Sequence, residues 1–315
     1  MKSHLKLKMF TFITSFILTG CNSEDIFENG EAELEKKAEL YDIVVSPSDV
    51  DIYLGQQYLA TGKYDDGTEA DITNIVTWKV LDNIVASSLS SGYVTPKNIG
   101  TTKIIANIKG ITSNEGNINV IKSLVCGHDV GNLIATAIDN NDRNNAATKC
   151  LKIAQDNKGN WFTSSPSIEL LNYFGYSKEV GNSGNDKTYA NVYDEDGTYG
   201  PYGKYGLFDQ LGGDSFGVNG QYDRWCQNLS SINFAGKENW QRTLQTELHD
   251  NVLTSGLYFA KGDMTANYGW PGAKYKLYWS STPESSDSFK TVRLYDGLIG
   301  SASFASEMYA SCISK

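Results

Sequence analysis

The chain has 315 residues, 40% of them hydrophobic, and a formal net charge of −10. That length accommodates two or three domains with cores of their own. An acidic chain with no Lys/Arg cluster beyond its first residues is excluded as a nucleic-acid binder, because phosphate recognition needs concentrated positive charge. Tyrosine and glycine abundance (19 and 30 residues) points to strands and loops rather than to a helical enzyme.

Lys2, Lys6 and Lys8 precede an apolar run from Met9 to Leu18. The run is too short to span a bilayer as a mature helix, and residues 1–20 read as a secretory signal. Leu18-Thr19-Gly20-Cys21 resembles the lipobox of bacterial lipoproteins. The resemblance implies that Cys21 is lipidated and becomes the mature N-terminus, and that Asn22, which is not the inner-membrane retention aspartate, sends the protein to the outer membrane. Residues 21–41 are polar and acidic, with Glu31, Glu33, Glu35 and Glu39 beside Lys36 and Lys37. Such a segment buries little apolar surface and reads as a solvated tether.

From 42 to 122 short alternating runs are separated by turns: Ile43-Val44-Val45, Ile52-Tyr53-Leu54, Tyr58-Leu59-Ala60, Val76-Thr77-Trp78, Ile84-Val85-Ala86, Gly92-Tyr93-Val94, Ile104-Ile105-Ala106 and Ile118-Asn119-Val120. Strands at this spacing predict an all-β sandwich with Trp78 in its core. The series Val45-Ser46-Pro47, Leu54-Gly55, Tyr64-Asp65-Asp66-Gly67-Thr68, Asp71-Ile72-Thr73, Val76-Thr77-Trp78, Val85-Ala86, Gly92-Tyr93-Val94-Thr95 and Gly100-Thr101-Thr102 resembles the bacterial Ig-like group 2 domain. The resemblance implies a spacer without chemistry of its own. It departs from the family at Leu81-Asp82-Asn83, where a Ser-rich turn is usual.

With Cys21 lipidated, Cys126, Cys150, Cys226 and Cys312 remain, an even number in an oxidising compartment. Four cysteines leave three pairings open. No Cys-x-x-Cys is present and the mature chain has only His128 and His249, so zinc is rejected. The last strand is expected over 308–313, and a cysteine so near the end makes sense if it pins that strand to an earlier element. Cys226 is the expected partner, leaving Cys126 for Cys150. Trp225, Leu229 and Ile232 share one helical face, and a second helix is expected after Trp240 with Leu244, Leu248 and Val252 at four-residue spacing. Phe289 to Leu294 alternates as a strand, with Phe289, Thr291 and Arg293 opposite Lys290, Val292 and Leu294, followed by a turn at Asp296-Gly297.

Residues 222–315 therefore read as an α+β module. Cys226, Asn239-Trp240, Glu247-Leu248, Gly269-Trp270-Pro271, Tyr278-Trp279-Ser280-Ser281-Thr282-Pro283, Gly297 and Cys312 resemble the C-type lectin-like domain at the tips of intimin and invasin. The fold class expected is thus multi-domain, an all-β Ig-like sandwich followed by an α+β C-type lectin-like domain. Neither Glu-Pro-Asn nor Gln-Pro-Asp nor Trp-Asn-Asp occurs, which leaves calcium-mediated sugar binding unsupported. Leu244 is a poor N-cap, so the cap is expected at Thr243. Residues 123–221 form a companion region of the same C-terminal unit. Ser165-Pro166 suits an N-cap with proline at N1, leading into Ile168, Leu171 and Phe174. Cys150, Asn160-Trp161 and Glu169-Leu170 echo Cys226, Asn239-Trp240 and Glu247-Leu248, either as a degenerate repeat or by coincidence.

Chemistry-bearing motifs are few. Gly213-Asp214-Ser215-Phe216-Gly217 matches a nucleophile elbow but lacks the preceding buried strand and following helix, and no histidine follows His249. Asp194-Glu195-Asp196-Gly197 and Asp139-Asn140-Asn141-Asp142 lack the terminal glutamate of a calcium loop and read as turns. His249-Asp250 reads as a solvated or half-buried pair. No cofactor, metal or enzymatic activity is expected. Tyr189, Tyr193, Tyr199, Tyr202 and Tyr205 either cover a core or form a recognition surface, since rings on rigid turns give contact area at low entropy cost. Tyr193, Tyr199, Tyr202 and Tyr205 are the candidate ligand-binding residues. The domain order resembles an adhesin: a lipid-anchored surface protein whose tip binds a glycan or protein on another cell or in the envelope. A structural or assembly role in the envelope is the alternative.

Overall fold

The computed structural model describes residues 37–179, 187–212 and 217–315. Residues 1–20, Cys21, most of the tether, and Ser215 with Gly213, Asp214 and Phe216 lie outside the described residues. The protein is mostly β, and Glu39–Lys315 forms one unit with three buried clusters.

Eleven strands come first: β1 (Leu40–Ser46), β2 (Asp49–Ile52), β3 (Gln56–Gln57), β4 (Leu59–Tyr64), β5 (Glu69–Asp71), β6 (Thr77–Val80), β7 (Ala86–Ser88), β8 (Tyr93–Pro96), β9 (Gly100–Ile108), β10 (Ile111–Thr112) and β11 (Gly116–Val120). They pair as β1-β4-β5, β10-β9-β11-β2 with β6 also on β9, and β3-β8-β7. Strict alternation sends Thr102, Ile104 and Ala106 of β9, and Ile118 and Val120 of β11, into one core with Ile43, Val45, Ala60 and Trp78. Period-2 patterning of this kind buries one sheet face and leaves the other in solvent. Trp78 is buried, and its Nε1 donates to the Thr73 carbonyl at 2.9 Å. Gly92, at φ +79°, lies where a Cβ would come within 2.6 Å of the Tyr58 carbonyl oxygen, so only glycine fits there.

Beyond residue 122 follow β12 (Ile153–Gln155), β13 (Trp161–Thr163), α1 (Ile168–Tyr173), β14 (Ser177–Lys178), β15 (Thr188–Tyr189), β16 (Asn191–Asp196), β17 (Tyr202–Leu207) and α2 (Gln221–Ser231). The remainder is β18 (Gln241–Arg242), α3 (Gln245–Leu248), α4 (Leu257–Lys261), α5 (Met264–Tyr268), β19 (Tyr278–Ser285), β20 (Ser288–Val292), β21 (Ile299–Ser303) and β22 (Cys312–Ser314). β12-β13-β22-β18 form one sheet, β19-β20-β21 another, and β16-β17 a hairpin. Residues 123–221 and 222–315 thus share a sheet, with β13 and β18 flanking β22. Trp161 opens β13 ahead of α1, and Trp240 immediately precedes β18 and α3. Cys150, however, sits in a loop while Cys226 is on a helix.

Two disulfides are formed, Cys126–Cys150 and Cys226–Cys312, the second joining α2 to β22. β20 sends side chains to two clusters: Phe289 joins that of Trp225, Trp240 and Trp279, and Val292 joins that of Trp270, Tyr278 and Tyr309, while Ser288 and Lys290 are half-buried. The first half meets the second through Tyr53. Its carbonyl accepts from Gly131 N at 2.8 Å and its hydroxyl from Ala235 N at 3.2 Å.

Several local expectations are corrected. The last strand is confined to Cys312–Ser314, because Met308 and Tyr309 make single bridges to Phe208 and Tyr278 instead. The helix after Trp240 stops at Leu248, leaving Val252 84% exposed. Asp250 ends it, accepting from the Val252 and Leu253 N–H groups in a turn. Its N-cap is Leu244, not Thr243. Glu247 accepts from Leu244 N at 2.7 Å, and Thr282 on β19 accepts from Gln245 N at 2.9 Å, so a distant hydroxyl supplies what the local residue lacks. Thr243 is instead buried against the Tyr222 hydroxyl. α1 starts two residues later than expected: Ser167 caps it through Leu170 N, which leaves Pro166 before the helix. Ile232 falls beyond α2 and is 40% exposed, so the inward face of the helix is carried by Tyr222, Trp225, Cys226 and Leu229 instead.

Candidate functional site

The tyrosine-rich stretch divides into core and surface. Tyr189 and Tyr205 are buried, which corrects Tyr205 as a ligand-binding residue: its ring has no solvent face. Tyr193 is half-buried and packs edge-on against Tyr309 at 6.3 Å between centroids. Alternation along the β16-β17 hairpin causes this division, and Tyr202, next to the turn, is 76% exposed. Tyr199 sits in the turn itself and stacks on Tyr295 at 5.1 Å.

Tyr295 belongs to a different loop, and the pair is the centre of a surface built from three. The first is the 197–201 turn, shaped by Gly197 at φ +81° and by Asp196, which accepts from Thr198 N at 2.9 Å. The second is 271–276. Gly200 packs on it so closely that a Cβ would lie 3.0 Å from Gly272 N. The third is 293–298, closed by Gly297 at φ +76°. There Asp296 clamps the Arg293 guanidinium, accepting from Nε at 2.8 Å and from Nη2 at 2.5 Å. Arg293 also donates from Nη1 to the Lys274 carbonyl at 3.2 Å, tying the second and third loops. The guanidinium lies 4.7 Å from the Tyr295 ring centroid, and the Lys274 ammonium 5.3 Å from that of Tyr275. Tyr275 is 74% exposed.

The electrostatics follow from these contacts. The Arg293 hydrogen bonds hold the Asp296 carboxyl below its ordinary range. Hydrogen bonding with Tyr275, with Tyr199 and Tyr295 nearby, raises the Lys274 pKa. The result is a patch of three rings and two cations with one carboxylate.

Beneath it lies Glu195, which corrects the reading of Asp194-Glu195-Asp196-Gly197 as a simple turn. The first three residues end β16, and Glu195 is buried. Its Oε1 accepts from the Tyr309 hydroxyl at 2.5 Å and from Gly272 N at 2.8 Å, so it anchors the second loop from below. Burial raises its pKa, which the two hydrogen bonds only partly oppose.

Other candidates resolve differently. Asp139 is paired with Lys261 at 2.5 Å and accepts from Gln155 N, so the Asp139–Asp142 loop is tied to protein groups. No group of three metal-ligating side chains occurs among the described residues. His249 and Asp250 are both buried, the imidazole lying edge-on to Tyr258 at 4.9 Å. A groove of about 630 Å³ runs between the halves past Trp161 and Lys237. Among its polar side chains, Tyr53 already accepts from Ala235 N and Asn132 from Gly55 N, so these groups hold the joint rather than face a ligand.

Sequence reasoning reached Tyr199 and Tyr202 but missed Tyr275, Tyr295 and Lys274, and it placed Arg293 only as a strand residue. They come from separate loops, and no spacing rule joins them. The one local signal is an aromatic residue within three positions of a turn glycine, at Gly272-Ala273-Lys274-Tyr275 and Tyr295-Asp296-Gly297.

No family model matches the chain. It is 35% identical over 113 residues to Ice-binding protein 1 of Shewanella frigidimarina (strain NCIMB 400), a stretch covering 35% of this chain and 13% of that protein. The chain therefore spans about an eighth of that relative's length. Among solved structures it has weak similarity to the adhesin InvE of Yersinia pseudotuberculosis (12% identity, 86% of this chain and 96% of that one, TM-score 0.26). Invasin, described as a bacterial integrin-binding protein, gives 13% identity, 86% and 58% coverage and a TM-score of 0.24. An S-layer protein gives 15% identity, 50% and 20% coverage and a TM-score of 0.26. Superpositions at these scores do not establish a common fold.

Proposed function

We propose that this is a non-catalytic surface recognition protein, lipid-anchored at Cys21 in the outer membrane. An Ig-like spacer presents a lectin-like C-terminal unit that binds a glycan or protein outside the cell. The observation that carries the reading is the Tyr199–Tyr295 stack with Tyr275, Lys274 and Arg293 around it. Exposed rings stack on the apolar faces of sugars or on partner side chains, and the two cations and Asp296 supply directional hydrogen bonds. The rings are held by turn glycines and by Glu195, so little ordering entropy is lost on binding. Nothing in the patch serves as a nucleophile with an adjacent base.

The test is binding of the full-length protein to glycan arrays and intact cells, compared with the Tyr199→Ala/Tyr275→Ala variant. Saturable binding that weakens at least tenfold in the variant supports the proposal. Binding that ignores both rings overturns this site. Binding confined to a purified envelope protein favours the assembly role instead. An ice-recrystallisation assay on the same protein tests the ligand named for its relative, and inhibition that survives the substitutions would move the working surface elsewhere.

A further inference from the structure

Lys152 is the one buried lysine among the described residues, 1% exposed and just ahead of β12. Its Nζ lies 3.0 Å from the Asn140 side-chain oxygen and 3.0 Å from the Asn140 carbonyl oxygen. The Asn140 Oδ1 also accepts from Asn145 Nδ2 at 2.9 Å and from Asp142 N at 3.3 Å. Three donors therefore converge on one carboxamide oxygen, which draws electron density from its carbon. Gly127, at φ +82°, confines the other side: a Cβ there would lie 2.2 Å from Asn140 Nδ2.

Both partners are held in place. Asp139 N donates to the Ile153 carbonyl at 3.0 Å, so the residues next to Asn140 and Lys152 are directly paired. The Cys126–Cys150 disulfide closes two residues before Lys152. Fixed reactants of this kind remove most of the entropic barrier to reaction between them.

We propose that Lys152 and Asn140 join in an intramolecular isopeptide bond, an amide between Lys152 Nζ and Asn140 Cγ formed within the folded chain. The neutral amine adds its lone pair to Cγ, and the developing charge on Oδ1 is held by Asn145 Nδ2 and Asp142 N. Collapse breaks the Cγ–Nδ2 bond. The proton lost from Nζ is transferred to Nδ2 within the addition intermediate, and Nδ2 leaves as ammonia. No oxidant or further reactant is consumed. Burial supplies the nucleophile by lowering the Lys152 pKa to about 8, so roughly a tenth of the amine is neutral at pH 7. The product ties the 139–142 loop to the start of β12 beside a disulfide, giving an exported protein a crosslink that reducing conditions do not open.

The experiment is tryptic peptide mapping of the reduced and alkylated full-length protein. An acylated Lys152 is not cut by trypsin, so peptide 123–143 appears joined to 150–158, about 17 Da lighter than their sum because ammonia is lost. A succinimide at Asn140 loses the same mass but joins no peptides. Lys152→Met, nearly the same shape, and Asn140→Ala each release peptide 123–143 as a separate species. Recovery of separate 123–143 and 150–152 peptides at their sequence masses from the parent protein, after incubation at pH 9 where the amine is neutral, overturns the proposal and leaves a hydrogen-bonded tie. That result needs no variant to fold.

Discussion

Replacing each cysteine pair by alanine separates two kinds of loop closure in one protein. Cys226–Cys312 closes 86 residues and Cys126–Cys150 closes 24. In the chain-entropy account these restrict the denatured chain by ~4.6 and ~3.4 kcal/mol at 25 °C. The difference of about 1 kcal/mol is an underestimate for the native state. Cys312 lies in the strand between β13 and β18, and both Cys226 and Cys312 are fully buried beside Trp225 and Trp240, so their removal also loosens a core. Urea unfolding of Cys226→Ala/Cys312→Ala and Cys126→Ala/Cys150→Ala, followed by tryptophan fluorescence, reads the two losses. The long-loop variant is expected to lose more stability and to show the steeper denaturant dependence, because its denatured chain exposes more surface. An equal or larger loss from the short-loop variant would refute the reasoning.

Tyr222→Phe removes a fully buried hydroxyl that accepts from Thr243 N at 2.9 Å and donates to the Ser311 carbonyl at 2.5 Å. It is expected to cost about 1–3 kcal/mol in urea unfolding, the range for stranding buried partners. Gly92→Ala forces a Cβ against the Tyr58 carbonyl and the Trp78 ring at positive φ, and a loss of about 2 kcal/mol or more is expected by thermal melting. Glu195 has its folded pKa raised above the ordinary 4.5, so its favourable contribution is present below that pH and is lost as pH rises through the raised value. Glu195→Gln keeps an acceptor for Gly272 N and Tyr309 without the charge. It is expected to raise the melting temperature relative to the parent at pH 8, with the advantage gone at pH 4.

Much of the first half was legible because β9 and β11 alternate strictly and each strand has one solvent face, so burial writes itself into period-2 patterning. In the second half the burial signal is blurred. Phe289 and Val292 of β20 are both buried but in different clusters, a difference that alternation alone does not reveal. α3 is four residues long and is capped by Thr282, 37 positions away from Gln245, so neither its start nor its end is written in neighbouring residues. Glu195 looked like part of an acidic turn because its partners, Tyr309 and Gly272, are remote in sequence. The candidate surface was half visible for the same reason: Tyr199 lies in a tyrosine-rich run, whereas Tyr275 and Tyr295 are brought to it only by loops that close through Asp296 and Gly272.

β22 comes after every other strand in the sequence, yet it pairs between β13 and β18. The four-stranded sheet therefore cannot close while the chain is still emerging, because its middle is the last part to arrive. Until residues 312–314 are available, β13 and β18 each present an unpaired edge, and Cys226 has no partner thiol. Completion of the sheet and formation of the Cys226–Cys312 bond are therefore coupled late events, because both wait for the same three residues.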